Sequence, residues 1–112
     1  MQKYRIAVTK LARGDIENVN DYIAYTLKSP KTAQKTVNGL RRAIAALREM
    51  PQKHELHADE ELREIGIRQL YYKNYKIIYF VDEKAQTVYI ARVLHMLVDS
   101  RTKLYETFHL TK

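Results

Sequence analysis

Apolar residues change their spacing several times along this chain, and each change marks an element. Tyr4, Ile6 and Val8 alternate with Lys3, Arg5 and Ala7, the period of a short strand. Thr9 stands where a helix N-cap belongs, and Ala12, Ile16, Val19, Ile23 and Leu27 follow at helical spacing. Arg13, Asp15, Glu17 and Asn18 lie mostly off that face, and Gly14 weakens the helix locally. Ser29-Pro30 restarts the chain, with serine as a good cap and proline pre-organised for the first helical position. Ala33, Val37, Leu40, Ile44 and Leu47 then recur four and three apart until Pro51 stops the helix. Residues 9–50 are therefore predicted to form an antiparallel helical hairpin with a very short connection. Its two apolar stripes need a sheet to cover.

Residues 52–64 are polar and read as a loop with at most one helical turn. Strands are predicted at about 63–72, 75–82 and 87–94. Lys73-Asn74 links the first two, and Asn tolerates the left-handed conformation of a tight hairpin. Residues 82–86 make a looser turn. Leu104 and Phe108, at helical spacing, allow a short final helix. The expected fold is α+β in a single domain, residues 1–112. A first strand and a helical hairpin precede a three-stranded antiparallel meander, and the first strand joins it in one sheet. In residues 66–99 apolar positions alternate with Arg68, Lys73, Lys76, Arg92 and His95. One sheet face should pack on a core, and the other should show cations, tyrosines and a histidine to solvent.

Charge sharpens this picture. Lys and Arg number 20 against 13 Asp and Glu, a formal net charge of +7. Such a balance favours an anionic partner, although ordinary solubility also produces it. Cysteine is absent, which excludes disulfides and thiolate chemistry. No apolar run reaches the roughly 18 residues that span a bilayer, so no membrane partner is expected. The segment MQKYRIAVTK lacks an apolar signal core, and the cytoplasm is the expected location.

The succession YRIAVT, DIENVNDYIAYTLKSPKTA, AIAALREMP, GIRQLYYKNYKIIYFVDE and VYIARVLHMLVD resembles toxins of the RelE/ParE superfamily of type II toxin–antitoxin systems. No one motif is specific, but their order and spacing along nearly the whole chain are. The resemblance implies a growth-arresting toxin with a cognate antitoxin. RelE-like members cleave mRNA on the ribosome, whereas ParE-like members inhibit DNA gyrase and cut no RNA. The long hairpin with its short Ser29-Pro30 link is similar to the ParE side, and the basic sheet suits either.

Metal-independent RNA cleavage needs a base, a cation beside the phosphorane and an acid for the leaving oxygen. The resemblance maps two RelE-type lysines onto Ile67 and Gln69, a departure, and one arginine onto Lys76. A second arginine falls near Met96, beside His95, and the tail tyrosine on Tyr105. The nuclease reading therefore takes His95, Lys76, Arg68 and Tyr105 as catalytic, with no cofactor. For contact with target or phosphate the candidates are Arg68, Lys73, Lys76, Arg92 and Tyr72. Each has a plainer alternative. An imidazole can serve as base or acid, but a carboxylate such as Asp99 can hold His95 for structure alone. Arg68 and Arg92 can grip phosphate if they face the same way, or pair with Glu64, Asp82 or Glu83. Tyr75 and Tyr79 are expected to pack on the core, leaving Tyr71 or Tyr72 exposed beside Lys73.

His54, His57, Asp59, Glu60 and Glu61 suggest a metal site to the eye. They lie in a charged loop without a fixed helical face, and no metal is expected. Three readings follow: a gyrase-binding toxin, a ribosome-dependent mRNA interferase, or a non-toxic or degenerate basic nucleic-acid-binding module. Both toxin readings share a partner: an antitoxin segment, helical and partly acidic, that wraps the hairpin and covers the basic sheet.

Overall fold

A computed structural model describes residues 3–110, so the expected bounds 1–112 run past it at both ends. Strand β1 (Arg5–Val8) feeds directly into helix α1 (Lys10–Asp21). Thr9 makes that junction: its backbone is extended and its Oγ1 accepts from the Ala12 N–H. The same hydroxyl donates to the Ile90 carbonyl at 2.8 Å, tying the helix start to the sheet. α1 ends in a wider π-helical turn, Tyr22–Thr26, closed by the left-handed Lys28 (φ 54°). Helix α2 (Pro30–Ala46) starts on its proline. Ser29 precedes it without capping the backbone; its hydroxyl bonds Thr32 Oγ1 instead.

Residues 60–64 are not strand. Asp59 accepts from the Leu62 N–H and opens a short helix, α3 (Glu60–Glu64). Glu60 and Glu61 complement the positive end of its first turn, and Gly66 (φ 87°) turns the chain out of it. Strand β2 thus begins at Arg68 and runs to Tyr72, ahead of β3 (Tyr75–Asp82) and β4 (Thr87–His95). The β2–β3 turn has its left-handed residue at Lys73 (φ 51°), not at Asn74. Helix α4 (Ser100–Thr107) follows β4, with Asp99 as its cap.

The sheet order is β1-β4-β3-β2, with β1 parallel to β4 and the other pairs antiparallel. The α+β architecture expected from the sequence is present. One element of it differs: the second face of the sheet is not open. Ala12, Ile16, Leu40 and Ile44 pack on Ile77, Tyr79, Val88 and Ile90 on the first face. Leu62, Leu104 and Tyr105 pack on Ile78 and Leu94 on the other. An eight-residue helix is not stable alone, but burying a side chain such as Leu104 contributes about 1.5–3 kcal/mol and holds it down.

A β-bulge decides where the last strand points. Ile78 pairs with Arg92 but Tyr79 pairs with Ile90, so Ala91 is an extra residue in β4. The alternation therefore changes sides. Val88 and Ile90 face the helical hairpin, then Val93 does, and Arg92 turns to the α4 side beside Ile78 and Leu94.

Candidate functional site

The candidate residues divide by face. His95 pairs with Tyr75, on the hairpin side, while Lys76 pairs with Leu94, on the α4 side. Arg68 lies opposite Tyr79 and so faces the hairpin side, whereas Arg92 faces the other. The two arginines do not face the same way.

Most of these side chains are engaged by the fold. Arg92 makes a two-pronged ion pair with Asp15, at 2.7 Å from Nε and 2.8 Å from Nη2. That carboxylate holds the guanidinium pKa above its ordinary value. Neither Asp15 nor any α1 carboxylate was among the partners the sequence suggested. Lys76 is buried and donates from Nζ to the Val98 carbonyl at 2.8 Å; burial lowers its pKa. Arg68 donates from Nη1 to the carbonyls of Gln52 and His54, at 2.9 and 2.7 Å. Tyr105 is buried with its hydroxyl 2.9 Å from Asp59 Oδ2 and 3.0 Å from Glu61 Oε2. Burial and those two carboxylates push its pKa up to about 12, far from the range of efficient proton transfer at neutral pH. Tyr72 packs against the hairpin at Gly39.

Lys73 and His95 remain exposed. Lys73 lies 5.7 Å from the Tyr72 ring centre. His95 stacks edge-on against Tyr75, with ring centres 5.7 Å apart, and its Nδ1 accepts from the Leu97 N–H. Neutral His95 therefore carries its proton on Nε2. Asp99 does not hold it; its carboxylate accepts from the Arg101 and Thr102 N–H groups at the start of α4. Tyr79 is buried, as expected, and Tyr75 is half-buried on the same cluster. His57 is buried between Ser100 Oγ and the Asp59 N–H, and His54 packs edge-on against Tyr79.

Two mainly apolar grooves lie beside α1. One, of about 520 Å³, is floored by Ile6, Val8 and Ile44 and rimmed by Arg13, Arg41 and Arg48, with Glu17 the one acid among them. The other, of about 720 Å³, lies between the π-helical turn and the end of β4. Tyr22, Leu27, Tyr75, Lys73 and His95 line it, and Tyr22 and Leu27 are each more than half exposed. Sequence reading assigned Leu27 to the apolar face of α1; the π turn rotates it outward.

The model of the family "ParE toxin of type II toxin-antitoxin system, parDE" matches residues 6–99. The chain belongs to the ParE toxin family. Its fold is similar to that in the chromosomal ParDE toxin–antitoxin system from P. aeruginosa, with TM-score 0.69 and 18% identity over 83% of this chain and 96% of that one. It is also similar to the RelBE2 toxin–antitoxin complex from Mycobacterium tuberculosis, with TM-score 0.60 and 23% identity over 85% of this chain and 93% of that one. No curated protein matches the chain. It is a toxin of a type II toxin–antitoxin system within the RelE/ParE superfamily. No helix among the described residues is long and apolar enough to cross a membrane.

Proposed function

We propose that this toxin arrests growth by holding its target rather than by cutting RNA, and that the target is DNA gyrase, as in ParE-like relatives. One observation carries the reading: the acid–base set of a nuclease is dispersed. Lys76 and His95 lie on opposite faces of the sheet, and Lys76, Arg68 and Tyr105 are each bonded to other groups of the fold. A phosphorane needs its base, cation and acid within hydrogen-bond reach of one centre. His95 alone does not meet that need. Such a target lies in the cytoplasm.

The antitoxin reading is supported by the arginine-rimmed groove. Its apolar floor and three guanidinium groups suit an amphipathic helix with acids along its flanks. Binding there would leave the second sheet face to α4, so the antitoxin need not cover it.

The test joins two assays on one purified chain and one induced culture. Gyrase supercoiling should be inhibited, and primer extension on cellular mRNA should show intact messages after growth stops. Discrete cuts within codons that vanish with His95→Ala would overturn the reading and make His95 a catalytic residue.

A further inference from the structure

β4 is longer than the strand that flanks it. β1 pairs with β4 only as far as Val8 opposite Ile90, and β4 continues to His95. Asp15 closes part of the remaining edge by accepting the Val93 N–H at 2.9 Å. Beyond it the edge is open. The Met96 N–H donates to the Asn74 carbonyl at 2.7 Å. In an antiparallel ladder this makes His95 and Tyr75 a pair whose polar groups point away from each other. The His95 N–H and the Val93 carbonyl therefore both point outward. Neither has a hydrogen-bond partner among the described residues. A carbonyl and an N–H two residues apart are what one residue of a parallel neighbouring strand engages, the sense in which β1 already pairs with β4.

This open edge faces the larger cleft. Its apolar wall is Val19, Tyr22, Ile23, Leu27 and Tyr75. Lys73 supplies the positive charge on its lip, with the His95 imidazole beside it as a polar group, and its one acid, Asp15, is already paired with Arg92. An exposed backbone edge, an apolar wall and a cationic lip together define the occupant: an extended peptide with one apolar anchor and one carboxylate.

We propose that this cleft is where the toxin holds its protein target. An extended, acidic segment of the target adds to β4 in parallel, sets an apolar side chain between Tyr22 and Leu27, and brings a carboxylate to Lys73. The antitoxin is not the chosen occupant, because the arginine-rimmed groove across α1 is the better match to an acidic helix. The proposal rests on the binding-toxin reading above and deepens it by naming the surface.

The test compares Tyr22→Ser, Leu27→Asp and Lys73→Glu with Lys84→Glu, which reverses an exposed charge on the β3–β4 turn outside both grooves. All four chains are induced at graded levels, and each is purified for thermal melts. Each cleft variant should need about tenfold or more toxin to arrest growth, the loss expected of an interface anchor. Lys84→Glu should arrest growth as the wild type does. Three substitutions of different chemistry guard against one that merely unfolds the chain. Arrest at wild-type levels by folded cleft variants would overturn the proposal, as would an equal loss of arrest in Lys84→Glu. Arrest by the wild type without inhibition of gyrase supercoiling would remove gyrase but not the cleft, which is scored on arrest. No arrest by the wild type would overturn both.

Discussion

Replacing Asp15 by alanine removes three bonds at once. The carboxylate accepts from Arg92 Nε and Nη2 and from the Val93 N–H, at 2.7, 2.8 and 2.9 Å. The pair is largely withdrawn from water, with side chains 16% exposed for Arg92 and 10% for Asp15. After the substitution the guanidinium keeps only the Thr107 hydroxyl, at 3.2 Å, and an edge N–H of β4 loses its acceptor. Breaking a buried pair from one side costs about 3–5 kcal/mol. Residual solvent access at Arg92 moves the expectation to the lower end, about 3 kcal/mol. Asp15→Asn keeps an acceptor for Val93 and should cost less, about 1–2 kcal/mol. Asp15→Leu combined with Arg92→Met removes both charges and should lie within about 1 kcal/mol of wild type. Urea unfolding of wild type, Asp15→Leu, Arg92→Met and the double variant at neutral pH closes a double-mutant cycle, with Asp15→Ala and Asp15→Asn measured beside it. If Asp15→Ala costs under about 1 kcal/mol, or the double variant costs the sum of the two single ones, the pair does not fasten α1 to β4 as described.

Gly39→Ala places a methyl group within 1.7 Å of the Tyr72 hydroxyl, so the ring must move. The expected loss is about 1–3 kcal/mol by urea unfolding, partly returned by Tyr72→Leu in the same chain. Burial lowers the His57 pKa below 6.5, with Lys76 adding to the effect and Asp59 and Asp99 opposing it. The unfolded chain then binds the proton more readily, so this stability is present above pH 6.5 and is lost as pH falls through the lower folded value. His57→Gln should flatten the decline of the urea midpoint on the acid side; an unchanged slope would count against it. Met50 is left-handed (φ 50°) and exposed. Met50→Gly should relieve that strain and raise stability by about 0.5 kcal/mol, net of the entropy glycine adds to the unfolded chain.

Long periodic segments were legible from the sequence because many residues repeat one message. The hairpin stripe from Ala12 to Leu47 and the three strands of the meander are of this kind. What was not legible depended on single residues or on partners distant in the chain. Asp59, with the acids behind it, turned a predicted strand start into α3. The bulge at Ala91 leaves no mark in the alternation until the pairing with Ile78 and Tyr79 is known. Asp15 reads as one more solvent-facing acid on α1, and only the short β1 reveals the open edge it serves.

The largest difference concerns the second face of the sheet. Five apolar residues in a row, Ile77 to Val81, signal a strand covered on both sides. α4 hides its role because it carries little apolar periodicity, yet Leu104 and Tyr105 are enough to cover Ile78 and Leu94. Once that face is covered, the cations on it change meaning. Lys76 fastens the segment leading into α4, Arg92 fastens α1, and Arg68 on the other face fastens the loop after α2. The charge of the meander is therefore spent largely on architecture; apart from Lys84 on the β3–β4 turn, Lys73 and the imidazole of His95 are what it leaves exposed. Both line one cleft, beside an open strand edge and two outward apolar side chains. A nuclease would need its charges gathered on one centre; a protein that grips another protein needs an edge, an anchor and a charged rim. The charges left exposed on the meander fit the second requirement.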